Sequence, residues 1–431
     1  MSPMLTDVQT RTLAHQFLEG FSMRVRRPSI PTPKPPVVDR LAFLLRWATS
    51  PNDDQQVMLE RVRRRVQKEI DDGSCEHAFV KLNHYRLNFR IRLDGGTQPL
   101  VQIGARIPER QKGGIRVDMN PAKFAPGDMK QFHEVMGRIV GPSYPRLLRR
   151  PLLHRVDFAV DVVHADLSRM LVSYTNAHRF TMFGKRVSTK GNVEGYNFGS
   201  VTSSYMTAVY AKDIEQMHRA VVDIAKKGLR RESLKANVIK QAEQLCGAPP
   251  KVRVEVRSMK MNNMSPHKLA SQPNRFKRFA FAYLPDSGGA LPAWLETAFL
   301  SLCRDKGVKA ALNTFKGSEH ARKVNAFWKS RQCTWWNPGP MWAQACAALR
   351  QLGVFPAAAF KPEEARPEKV LNLDDVAPRF AKPVKRPGQH VTFKRTYPGI
   401  VQRSTPRTIA LTPRTGSARE QVAAVTRNRR T

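Results

Sequence analysis

The chain has 431 residues, 41% of them hydrophobic, and sets 73 Lys and Arg against 35 Asp and Glu for a formal net charge of +38. That length and apolar content suit two or three domains with real cores, and the charge draws polyanions, nucleic acid before an anionic membrane surface. No apolar run is long enough for a signal peptide or a membrane span, and five cysteines without CxxC spacing argue against a disulfide scaffold or zinc ribbon. Reduced thiols in a bacterial cytoplasm, with no membrane partner, are the expectation.

In chain order, residues 1–78 read as an N-terminal helical and linker region. A short helix is expected at 13–21. Pro28, Pro31, Pro33, Pro35 and Pro36 mark an extended linker. A helix from about Val38 to Thr49 and another from Asp53 to Asp71 follow, the second stopping near Gly73. From 79 the period changes to two. Tyr85–Leu93 alternates and stops at Asp94-Gly95-Gly96, and strands at Leu100–Ile107 and Gly114–Met119 complete a meander. A helix is expected at Asp128–Ile139.

A second, similar half starts with a strand at Arg155. A helix at Leu167–Thr175, strands at 180–183, 195–198 and 205–211, helices at 214–228 and 233–245, and a strand at 252–256 follow. The fold class expected for 79–260 is therefore α+β, an antiparallel-rich sheet of two similar halves with packed helices. Residues 261–358 read as a helical domain containing Trp328, Trp335, Trp336 and Trp342. From 359 to 431 apolar periodicity vanishes, and a basic, disordered tail is expected.

Three strands carry the chemistry. Arg155-Val156-Asp157-Phe158-Ala159-Val160-Asp161 puts Arg155, Asp157 and Asp161 on one face. Lys251-Val252-Arg253-Val254-Glu255-Val256-Arg257 does the same with Arg253, Glu255 and Arg257. The run 206–212 puts Tyr210 and Lys212 on one side. If they pair in one sheet, carboxylates, a tyrosine and several cations converge. Such a set can bind a divalent metal and attack a phosphodiester. Alone, each strand is also readable as a solvated face with cross-strand ion pairs.

The order of these pieces resembles the replication initiation factor family, the initiators of rolling-circle replication in certain plasmids and filamentous phages. The resemblance spans about 80–260. It rests on Arg155, Asp157 and Asp161; on Gly195, Tyr196, Gly199 and Ser200; on Tyr210, Lys212 and Glu215; and on Arg253, Glu255 and Arg257. The family pattern around its tyrosine reads R-x-Y-D-K, whereas this chain has Ala208-Val209-Tyr210-Ala211-Lys212. Arg186 or Lys185 could supply the missing arginine.

The resemblance implies an enzyme that nicks and rejoins origin DNA through a covalent 5′-phosphotyrosine. On this chain the catalytic set would be Tyr210, Lys212, Arg253 and Arg257, with Tyr205 and Tyr196 as alternative nucleophiles. Asp157 and Glu255, with Asp161, would hold Mg²⁺ or Mn²⁺. Arg155, Lys185, Arg186, Ser200 and Lys251 would contact DNA. Partners would be origin DNA, double- and single-stranded, and a host helicase and polymerase, and a homodimer is compatible. A tyrosine with a pKa near 10 needs a cation to stabilise its phenolate, and cations offset the charge of the transition state. No H-x-H pair occurs among the 11 histidines, which favours carboxylate over histidine ligation. Two other classes of function fit the charge: a non-catalytic binder of single-stranded nucleic acid with the same fold, and a basic structural protein of a virion or nucleoid.

Overall fold

The computed structural model describes residues 30–47, 53–80, 84–107, 114–175, 180–184, 193–200, 202–225, 233, 236–240, 249–284 and 291–362. The helix expected at 13–21, most of the one at 233–245 and the tail beyond 362 lie outside the described residues.

The architecture is α+β. Its centre is β7 (Leu152–Val163), the longest strand. On one side β7 pairs with β2 (Val37–Leu45) and, past it, with the short β1 (Thr32–Pro33). Beyond β2 lie β6 (Ile115–Met119), β5 (Leu100–Ala105), β4 (Tyr85–Ile91) and β3 (Cys75–His77). On the other side lie β12 (Lys251–Ser258), β11 (Tyr205–Ala211), β10 (Val193–Gly199) and β9 (Phe180–Gly184). The eleven strands form one sheet, and every pairing in it is antiparallel. The two halves read from the sequence thus join into one surface at the β2–β7 seam.

One face of this sheet is apolar by alternation. Leu41, Phe43 and Leu45 of β2, Val156, Phe158, Val160 and Val162 of β7, and Val252, Val254 and Val256 of β12 are all nearly inaccessible. They share a core with three helices: α1 (Asp53–Asp71), through Val62 and Val66; α2 (Asp128–Val140), through Phe132, Val135, Met136 and Ile139; and a C-terminal helix at Pro338–Gln351, through Met341, Ala345 and Leu349. Phe158 is 1% exposed and meets Trp342 edge-on at 5.7 Å. Truncating a ring there removes its transfer energy and leaves a cavity. Phe158→Ala should lower unfolding free energy by about 3–5 kcal/mol in denaturant titration. A loss under about 1 kcal/mol would mean that Phe158 is not central to this core.

Two sequence expectations are corrected here. The segment from Val38 to Thr49 is not a helix; its first part is β2. Its apolar run Leu41-Ala42-Phe43-Leu44-Leu45 has no clean period, because β2 is paired on both sides and buried on both faces. A short apolar run of that kind does not distinguish strand from helix, and the pairing decides. Likewise 167–175 is a single 3₁₀ turn, Leu167–Arg169, followed by β8 (Met170–Tyr174). The Asp166 carboxylate accepts from the Ser168 N–H and caps that turn. β8 pairs with a strand in the segment read as helical, β13 (Phe279–Tyr283).

Around β8 and β13 a second apolar cluster forms. It includes Leu295, Phe299 and Cys303 of α5 (Ala293–Lys306, counting the helix at Tyr144–Leu147 as α3 and that at Lys212–Ala225 as α4). It also takes in Val308 and Ala311 of α6 (Val308–Thr314) and Val324, Phe327 and Trp328 of α7 (Ala321–Ser330). The helix at Pro338–Gln351 is α8. Among the described residues, no helix is long and apolar enough to cross a membrane.

Candidate functional site

The opposite face of the sheet is polar, and register fixes which side chains meet there. Tyr210 lies opposite Arg253, Ala208 opposite Glu255, and Met206 opposite Arg257. Arg253 lies opposite Asp161, Arg257 opposite Asp157, and Arg40 also opposite Asp157. Asn197 of β10 lies opposite Ala208. Gly199 ends β10 with φ +96°, and a Cβ there would stand 3.1 Å from the Tyr205 carbonyl, so glycine lets the chain turn towards β11.

These residues line a cavity of about 780 Å³. Tyr210, Lys212, Arg253, Glu255, Arg257, Arg155 and Asp157 all contribute to its wall, so most of the predicted set is brought together. Tyr210 donates from its hydroxyl to Glu255 Oε1 at 2.5 Å. Arg257 holds the other oxygen, donating from Nε to Glu255 Oε2 at 2.7 Å and again from its second nitrogen. Arg155 grips Asp157 from Nε and Nη2, the shortest bond being 2.6 Å. Arg253 spans Asp161 at 2.6 and 2.8 Å and Asp39 at 2.9 Å. Such forked, charge-assisted contacts hold both partners in one geometry.

Asp161 is not in the cavity wall and reaches the site only through Arg253. Lys212 departs from expectation: the strand ends at Ala211, and Lys212 opens α4. Its ammonium donates to Glu215 at 2.7 Å, and lies 5.7 Å from the centre of the Tyr210 ring. It still faces the cavity, as a cation at the edge of the phenol. Ser200, bonded to Thr202, and Lys251, at the far end of β12, are not in the wall. Lys185 and Arg186 lie outside the described residues.

The alternation separates the tyrosines. Tyr196 lies opposite Val209, in the apolar core, and burial pushes its phenol up to about 12. Tyr205 is five residues from Tyr210 and so takes the other face; the Arg275 guanidinium lies 3.8 Å from its ring centre. Tyr210 is thus the one of the three on the polar face.

Electrostatics at the site follow from burial. Asp157 and Glu255 are each 3% exposed. Burial raises the Asp157 carboxyl above its ordinary range, with Arg155 pulling the other way. Burial and then the Glu255 charge raise Asp39. Burial, then Glu255, push the Tyr210 phenol far above its usual value, and Arg253 offsets only part of this. Tyr210 is therefore a neutral hydrogen-bond donor at rest.

Sequence reading missed Asp39, Arg40, Asn120, Lys123 and Arg219 in the wall. Asp39 and Arg40 were hidden by the reading of β2 as a helix; a strand reading would have put charged residues of that segment beside Asp157.

The acids have suitable chemistry for Mg²⁺ or Mn²⁺, being hard oxygen donors. Their placement does not fit such an ion. Asp157 is closed by Arg155 and Glu255 by Tyr210 and Arg257, and among the described residues no three His, Cys, Asp or Glu side chains come together as a metal-holding group. An ion would have to displace two arginines.

No family model matches the chain, and no curated protein matches it in sequence. Among solved structures, a rolling circle replication initiator protein from Geobacillus stearothermophilus is similar over 59% of this chain and 89% of its own, at 11% identity and a TM-score of 0.29.

Proposed function

We propose that the chain initiates rolling-circle replication by nicking and rejoining DNA, with Tyr210 as nucleophile. One observation carries this: among three candidate tyrosines, Tyr210 alone lies on the polar face, its hydroxyl held by Glu255 in a cavity walled by arginines. The cavity admits a phosphodiester, and four cations, Arg155, Arg253, Arg257 and Lys212, surround the point of attack. Tyr210 Oη attacks phosphorus as its proton passes to Glu255 Oε1, the P–O3′ bond breaks, and the 3′ oxygen leaves and gains a proton through solvent, which balances the one the phenol gives up. The phosphotyrosine keeps the bond energy, so the 3′-OH can reverse the step without ATP. Negative charge gathered on the phosphoryl oxygens is offset by guanidinia already in place, which need no reorganisation during the step.

The test is to incubate the purified full chain with negatively supercoiled DNA bearing candidate origins. Nicked circles carrying detergent-resistant, 5′-linked protein are the expected product. The reaction should be run with Mg²⁺, with Mn²⁺ and with EDTA. Dependence on the ion would mean that Arg155 and Arg257 release Asp157 and Glu255 on loading. Full activity in EDTA would leave the arginines as the electrophilic groups. Replication partners, a plasmid or phage origin and cytoplasmic action belong to the same proposal.

A second reading has its own support. Every carboxylate in the wall is already engaged, and the Tyr210 phenol is raised, not lowered. That arrangement suits a stable binding face without chemistry. Tight binding of single strands with no covalent product from any origin would establish this reading instead.

A further inference from the structure

The polar face does not stop at the cavity. It continues across the other half of the sheet as a chain of hydrogen bonds, from Arg40 of β2 to Asp118 and Arg116 of β6, to Gln102 of β5 and to Asn88 of β4. Arg90 lies two residues beyond Asn88 on the same face, opposite Leu100, and Arg92 pairs with Glu76 of β3. Apart from Gln102, which is buried, these side chains keep partial exposure, whereas the apolar face beneath them is sealed.

The charge balance is positive in both regions. In the cavity wall Arg40, Lys123, Arg155, Lys212, Arg219, Arg253 and Arg257 stand against Asp39, Asp157, Glu215 and Glu255. Beyond the cavity Arg90, Arg92 and Arg116 stand against Asp118 and Glu76. A polyanion drawn to the cavity therefore meets further cations along the same face.

We infer that this second half of the polar face is a track for single-stranded nucleic acid, leading across β2, β6, β5 and β4 away from Tyr210. The inference rests on the nicking reading for its direction, since a strand lying in the track has one end at the tyrosine. From β11 to β4 is six strand spacings, about 29 Å at roughly 4.8 Å each. That holds on the order of four or more nucleotides, the lower range of known single-strand site sizes. The polar side chains of the track are guanidinia, amides and the carboxylates Asp118 and Glu76 that the guanidinia hold, without aromatic rings, so the contacts are with phosphates and do not depend on sequence. Among the described residues, α1 and α2 pack into the apolar core on the other side of this half of the sheet, which leaves its polar face without a long helix to enter a duplex groove and favours a single strand as occupant.

The probe is a fluorescent 20-nucleotide oligo-dT, titrated into the full chain over a range of salt. The variant Arg90→Ala/Arg92→Ala removes two charges from the track. The control Arg322→Ala/Lys323→Ala removes two exposed charges from α7. Two lost phosphate contacts should reduce the salt slope by about 1.4 and weaken binding at least about tenfold at moderate salt. The control should shift the slope by less than half that. Because Arg92 leaves Glu76 unpaired, the single variant Arg90→Ala should reproduce half the slope change, which separates the track from any effect on folding. Equal effects of both double variants would overturn the proposal, since net charge alone would then explain binding. So would a 20-base-pair duplex binding as tightly as the single strand. The readout involves no nicking, so a chain that binds along the track but never nicks retires the enzymatic reading without touching this one.

Discussion

Tyr210→Phe should abolish both nicked product and covalent adduct while leaving DNA affinity nearly unchanged and lowering the thermal midpoint by only a few degrees. The substitution removes one oxygen. That oxygen is the attacking atom in the proposed step, so the loss should approach the full catalytic effect, at least about a thousandfold. The structural consequence is smaller. Tyr210 is the donor to Glu255 Oε1, and Arg257 still holds Oε2 when the phenol is gone, so the cost is one unmet buried acceptor, about 1–3 kcal/mol. The ring still fills its place opposite Arg253. A variant that nicks at more than a few per cent of the wild-type rate would remove Tyr210 from the reaction. Tyr196 and Tyr205 would not then inherit the role in this cavity, because they lie on the other face.

Arg155→Ala should be the most destabilising of the substitutions at the site, by about 3–5 kcal/mol at neutral pH. Asp157 loses the donors to both of its oxygens at once and is left as a buried anion. Arg257, opposite it in register, is committed to Glu255 and cannot swing across without abandoning that acid. The sign of the pH dependence follows. Asp157 already titrates above its ordinary value of 3.8, because burial outweighs Arg155, and without the guanidinium it must rise further. A raised carboxyl favours the folded state while protonated, and that contribution is lost as pH rises through the folded-state pKa. The deficit of the variant should therefore be small in acid and grow toward neutrality. Denaturant melts from pH 4.5 to 8 would show it. A deficit independent of pH would mean that packing, not charge, sets the cost. Asp157→Asn in the same background should recover much of the loss, since a neutral amide can be buried where the anion cannot.

The sequence made the strands of the second half legible because each buries one face and exposes the other. Residues 155–161, 205–211 and 252–256 all fall inside observed strands, and the polar faces read from alternation are those that meet. Spacing could not reveal the pairing of charges. Asp157 and Glu255 looked like free ligands; in three dimensions each meets an arginine two residues away on its own strand, a local contact that alternation allows but does not require. β2 was illegible for a different reason. A strand buried on both faces has no period, and Asp39 and Arg40 disappeared with it. The small strands β8 and β13 define a sheet only through each other, 109 residues apart from Met170 to Phe279, beyond the reach of any local pattern.

β2 also sets a condition on how the chain can be made. It is synthesised early, yet it lies between β6 and β7, so its backbone groups have no partners on one side until residue 119 has emerged and none on the other until β7 has followed. During that interval an apolar segment with bare N–H and C=O groups is open to mispairing, and the sheet closes through contacts distant in sequence, the slow kind. The same position makes the segment indispensable afterwards. A fragment beginning at residue 79 would keep every carboxylate proposed from the motifs and yet split down the seam, with β6 and one side of β7 exposed as two raw edges. Such a fragment should self-associate, and a peptide spanning 32–78, which returns α1 and β3 along with β2, should heal it when supplied in trans.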